Sequence, residues 1–181
     1  MTIRAGHGAA APVAAAPESQ YKQADLIASP ASLFAVSSAS VWPNSNNAIF
    51  QRFSLTMPAT FRYLNLSIGT ASGNLQAGVV KLSGAKHVNF DRVMDTGIVA
   101  SVTTGSLSLD CGATLLGSGD YAMFLWANNA LLTARILNNS NLASTHLVCE
   151  RTFASGVPLN GSLTAWDGSR AITGLTLEAD I

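Results

Sequence analysis

The chain has 181 residues, in which ten Lys and Arg balance ten Asp and Glu. Charged side chains make up 11% of it, against about 25% in an average soluble protein, and so sparse and balanced a charge excludes a protein that holds a polyanion by bulk electrostatics. The length gives room for one domain with a real core, with or without a tail, and leaves two full domains cramped.

Hydrophobic residues reach 48%, so the low charge is not the charge-rich, apolar-poor signature of disorder. Ser, Thr, Asn and Gly stand where charge is missing. A hydroxyl is far cheaper to desolvate than an ion, and interface cores are depleted in charge. The composition therefore leans towards a subunit of an assembly. No apolar run approaches the roughly 20 residues that span a bilayer. The Ala-rich N-terminus is broken by Gly6, Gly8, Pro12 and Pro17 and lacks the Leu, Ile or Phe density of a signal peptide. The expectation is a protein neither exported by the usual route nor bound to a membrane.

Residues 1–25 stand apart, with small residues, two prolines and no bulky periodic stripe. Such a segment cannot bury enough area to fold by itself and reads as an extended arm. From residue 26 onward the pattern is β. SPASLFAVSSA fits either a short helical turn or an edge strand. FRYLNLSIG alternates, which puts Arg62, Leu64, Leu66 and Ile68 on one side and Phe61, Tyr63, Asn65 and Ser67 on the other. Thr70–Asn74 is a turn, and LQAGVVKLSG is the next strand. IVASVTTG and SLSLDCG follow, the latter with Leu107, Leu109 and Cys111 on one face. Leu115–Asp120 reads as a tight turn into YAMFLWA, a segment apolar on both faces and so a central strand covered on both sides. LLTARILN, THLVCERTF, SLTAW and ITGLTLEADI complete the series. Strands at spacings of about 8–12 residues, with turn signals between them, predict an antiparallel sandwich or barrel.

Between Phe61 and Asn128 the segments follow a recognisable order. A strand leads through the Ser72-Gly73-Asn74 turn to a second strand, then to the Thr96-Gly97 step, a polar strand, and Leu116-Gly117-Ser118-Gly119-Asp120-Tyr121 launching a strand that ends in Asn. This resembles the jelly-roll β-sandwich modules of tailed-bacteriophage virion proteins, found on tail fibres and on head fibres or decoration proteins. The resemblance implies an all-β, antiparallel β-sandwich of jelly-roll type over residues 26–181, behind the arm of residues 1–25. It also implies a non-enzymatic structural protein of the virion, commonly a homotrimer. Its N-terminal segment (here Ile3, Arg4, Pro12, Val13, Pro17 and Tyr21) would anchor it to phage structural subunits, the major capsid or a tail protein. Because the chain is short for a shaft, a capsid decoration or cement protein is the leading expectation. A tail-fibre or tail-tip module that binds a receptor or host glycan is the alternative.

Residues that could carry chemistry are thinly spread. Cys111 and Cys149 sit in apolar alternating stretches and read as buried free thiols, although spacing alone does not decide against a disulfide. His7, His87 and His146 are far apart and lack the paired spacing of a zinc site, and His146 and Cys149 would face opposite sides of a strand. Asp91 and Asp95 lack the ligand density of a calcium loop. Asp110, Asp120 and Glu150 could serve glycoside hydrolysis only if two came within reach of one substrate, and Asp120 reads as a turn residue. Gly117-Ser118-Gly119 is too short for a nucleophile elbow. No catalytic residue, metal or cofactor is expected, and no nucleic acid or membrane partner. Trp42 and Trp166, both at loop mouths, are the candidate glycan platform. The competing reading, lids on the ends of the sandwich, is favoured because those ends need large caps. Trp126 belongs to the core.

Overall fold

Alternation decides which side of each strand is apolar, and here it produces two sheets stacked face to face. The computed structural model describes residues 38–100, 102–137, 148–163, 166, 172–173 and 175–179. The arm of residues 1–25 lies outside the described residues. The strands are β1 (Ser38–Val41), β2 (Asn47–Leu55), β3 (Ala59–Thr70), β4 (Leu75–Ser83), β5 (Asn89–Asp95), β6 (Gly105–Leu116), β7 (Gly119–Ala127), β8 (Thr133–Leu137), β9 (Val148–Thr152), β10 (Asn160–Ser162), β11 (Ile172–Thr173) and β12 (Thr176–Ala179).

The first eight strands form one long hairpin rolled up on itself. β1 pairs with β8, β2 with β7, β3 with β6 and β4 with β5, all antiparallel. Contacts of β8 with β3 and of β7 with β4 close the roll. One sheet therefore runs β1-β8-β3-β6, with β11 beside β8 and β12 beside β3, and the other runs β10-β5-β4-β7-β2-β9. The chain is an all-β, antiparallel β-sandwich. The core between the sheets is built by Ile49 and Phe53 from β2, Phe61, Leu64 and Ile68 from β3, Leu75 and Val79 from β4, and Met123 and Leu125 from β7.

Tyr121–Ala127 are all buried, as a strand between two neighbours and two covered faces requires. Tyr121, Met123 and Leu125 face the other sheet. Ala122, Phe124 and Trp126 face outward, where they join Phe50, Val80 and Phe90 in a second apolar cluster. The outer face of an antiparallel sheet is commonly wet. Here Phe153, Val157, Leu163 and Trp166, from the chain after β9, lie across it. This strap is tied down by backbone bonds from Phe153 N–H to the Asn46 carbonyl and from Arg92 N–H to the Leu159 carbonyl. Gln76, 3% exposed, clamps it further. Its Nε2 donates to Asp95 Oδ2 at 2.6 Å and its Oε1 accepts from Val157 N–H at 2.8 Å, so both ends of a buried amide are used.

One expected phase is wrong. Phe61 is fully buried with Leu64 and Ile68, whereas Arg62 lies on the surface with its guanidinium on Asp110. The cause is a β-bulge. Phe61 stands opposite Ala179 and Tyr63 opposite Glu178, so Arg62 is an extra residue relative to β12. One inserted residue reverses the alternation before and after it.

Candidate functional site

The residues singled out from the sequence do not converge. Ile3, Arg4, Pro12, Val13, Pro17 and Tyr21 lie outside the described residues, as do His7 and His146. Trp42 is 2% exposed, packed in the core between the sheets, and its indole N–H donates to the Asn47 carbonyl at 3.0 Å. Trp166 is half-buried against the cluster on the opposite face of the same sheet and donates to the His87 carbonyl at 3.1 Å. One tryptophan is thus a core residue and the other part of the strap, and they share no surface.

Asp120 is the second residue of β7 and not part of a turn, because β6 and β7 are joined by Gly117 and Ser118 alone. Its even-numbered position puts it on the outer face, in register with Ser54 of β2. Ser54 Oγ donates to Asp120 Oδ1 at 2.5 Å, Arg52 Nη2 lies 3.5 Å from Oδ1, and His87 Nδ1 lies 3.6 Å from Oδ2. The Ser54 hydroxyl, helped by Arg52 and His87, holds the Asp120 carboxyl below its ordinary range against a smaller opposing effect of burial. His87 reaches it from the β4–β5 turn, where Lys86 and His87 both have positive φ. The serine proton is engaged by the carboxylate and not by the imidazole, so this is an ion-paired clasp joining β2, β7 and a turn. It is not the serine-to-base bond of a nucleophile.

The clasp has a testable consequence for acid stability. A depressed carboxyl contributes stability that is present above its ordinary value of 3.8 and is lost as pH falls through the lower folded-state value. Asp120→Asn is therefore expected to flatten the acid limb of the stability profile below about pH 4, as measured by urea midpoints across pH. An unchanged limb would mean that the clasp does not form.

Asp110 faces solvent on β6, where Arg62 Nη2 meets its Oδ2 at 2.9 Å and Arg62 Nε donates to both oxygens. The Arg62 bonds first, then the Gly112 N–H, lower its pKa. Glu150 accepts from Asn47 Nδ2 at 3.4 Å. No two of Asp110, Asp120 and Glu150 share a contact among these bonds, and among the described residues no group of three His, Cys, Asp or Glu could hold a metal ion.

Cys111 and Cys149 are free thiols. Cys149 is buried in the outward cluster, whereas Cys111 is half-buried from the other sheet against the core between the layers. Burial first, then the Asp95 and Asp110 carboxylates, pushes the Cys111 pKa up to about 12. The thiolate is the reactive form, so neither cysteine is expected to be alkylated by iodoacetamide at neutral pH until the protein unfolds. Mass spectrometry before and after denaturant reads this directly, and rapid native labelling of Cys111 would refute it.

Sequence reasoning missed the Ser54–Asp120 clasp, the Arg62–Asp110 fork and the Gln76 clamp. The first two are brought together only by the β-sheet register, and the third by the strap that carries Val157 back to β4. Comparisons of the chain with family models, with curated proteins and with solved structures gave no match.

Proposed function

We propose that this chain is a non-enzymatic structural protein of a bacteriophage virion. In this reading it is a capsid decoration or cement subunit, anchored through residues 1–25 and oligomerising, as a trimer, through its β domain. The observation that carries the reading is the nested pairing of β1 to β8, β2 to β7, β3 to β6 and β4 to β5. Nested antiparallel pairing of this kind supports a jelly-roll reading of the sandwich, and jelly rolls build viral capsid domains among others. Fold alone does not assign function. Two further features support the choice. The chain is poor in charge and rich in Ser, Thr and Asn, which suits close packing against neighbours. Among the described residues β1, the first strand, is also an edge strand, which suits an anchor that precedes it. Burial of Trp42 weighs against the glycan-binding alternative, which asks for exposed aromatic faces.

Deleting residues 1–20 tests the proposal. The truncated protein is expected to remain soluble, β-rich and oligomeric, and to be missing from purified particles of the phage that encodes it. Incorporation at the wild-type level would overturn the anchoring role, and absence of the full-length chain from particles would overturn the virion role.

A further inference from the structure

Among the described residues, β6 is the longest strand with an unpaired edge. It pairs with β3, and among the described residues no strand pairs with its other side. The other edge strands are short: β1 has four residues, β9 five and β10 three, against twelve in β6. Folded proteins blunt exposed edges with charge, bulges or brevity, because an open row of N–H and C=O groups is a template for another strand. The second half of β6 carries such devices, with Asp110 held by Arg62 and Gly112 at a φ of 75°, whereas the first half has only Gly105 at its very start, at a φ of 119°. The first half, Gly105–Leu109, reads GSLSL. It has no charge, no proline and no break in its register from Ile68↔Gly105 to Leu64↔Leu109.

We infer that this edge docks a second copy of the chain, β6 against β6, antiparallel across a two-fold axis at Ser108. The register follows from the side-chain period. When a strand pairs with its own copy, a two-fold centred on a residue sets inward side chains opposite inward ones. A two-fold centred between residues would set Leu opposite Ser. The ladder on β3 is regular over Gly105–Asp110; a centre at Ser108 keeps the pairs from Ser106 to Asp110 within it and brings Asp110 into the contact, and any centre nearer the bulge would draw Gly112 into the ladder. The resulting pairs are complementary. Ser106 meets Asp110 of the other copy, hydroxyl to carboxylate, and Leu107 meets Leu109, so their half-exposed apolar surface is covered. Ser108 meets itself. The two Asp110 carboxylates are not opposite one another, and each keeps its own Arg62. The contact uses the same patch on both copies and is therefore closed, and the sheet of one copy continues into the next by strand addition. The inference does not rest on the virion role: such a contact pairs monomers, or pairs trimers into larger even-numbered assemblies.

Sedimentation of the full chain over a wide concentration range tests it. The wild type is expected to reach an even number of protomers. Ser108→Lys and Ser108→Glu each set like charges directly opposite and are expected to weaken association by about tenfold or more. An equal mixture of the two variants regains it. Ser106→Lys, which faces Asp110, keeps it. These serines are exposed, and unchanged thermal unfolding shows that the variants fold. A wild type with an odd number of protomers, a Ser108→Lys variant of unchanged mass, or a mixture that fails to recover would each overturn the inference. Amide exchange on the wild type tests it without substitution: protection of residues 105–109 should fall on dilution, and protection independent of concentration would overturn it.

Discussion

Gly78→Ala is expected to lower stability by about 3 kcal/mol, seen as a fall in Tm on the order of 10 °C. Gly78 lies in β4 directly opposite Phe124 of β7. The Phe124 ring folds over the glycine, so that an added Cβ would sit 2.6 Å from two ring carbons and also strike the Met94 backbone oxygen. The ring has little freedom to retreat, because its centroid is 5.8 Å from that of Phe50 within the strapped outer cluster. The Met94 oxygen belongs to β5 and cannot move without disturbing the β4–β5 ladder. Adding Phe124→Leu should recover only part of the loss, since it relieves the ring contact and not the backbone one. An alanine variant as stable as the wild type, by calorimetry, would show that the two strands stand further apart than described.

Gln51→Leu is expected to act in the opposite direction. Gln51 lies on the face of β2 shared by Ile49 and Phe53, with Met123 and Val148 beside it in register. It is 1% exposed, and among the described residues neither amide atom has a hydrogen-bond partner. A buried polar group left unpaired costs about 1–3 kcal/mol, and an apolar replacement of similar size removes that cost. The variant should therefore melt several degrees higher, at about 2–4 °C for each kcal/mol. A lower Tm would show that the amide is bonded in solution, for instance by a buried water.

These two residues show what could and could not be read from the sequence. The antiparallel β character was legible because FRYLNLSIG, SLSLDCG and YAMFLWA carry period-two or fully apolar patterns, which report burial locally. The central place of β7 was legible for the same reason. Nothing near Gln51 in sequence announces that its amide is unpaired, since that depends on strands drawn from three parts of the chain. The phase error at Phe61 has a similar origin: the irregularity at Arg62 is defined only by pairing with β12 and β6, both far away in the chain. The strap was hidden because residues 153–166 carry no long periodicity, and the burial of Val157 and Leu163 follows from the aromatic outer face they cover. Asp120 looked like a turn residue because two glycines precede it, and only the β2–β7 register reveals Ser54 and Arg52 beside it.

The nested pairing of β1 with β8 also bears on how the protein is made. Ser38 must find Ile136, so roughly a hundred residues of chain are enclosed by that single contact, and the entropy of closing so long a loop precedes any reward. At ribosomal speeds of about 5–20 residues per second, the leading strand therefore waits several seconds for its mate. During that interval the aromatic strands β2 and β7 have no cover, and a crowded cell presents competing surfaces. Yield in heterologous expression should consequently respond more to translation rate and chaperone supply than the stability of the finished roll would imply.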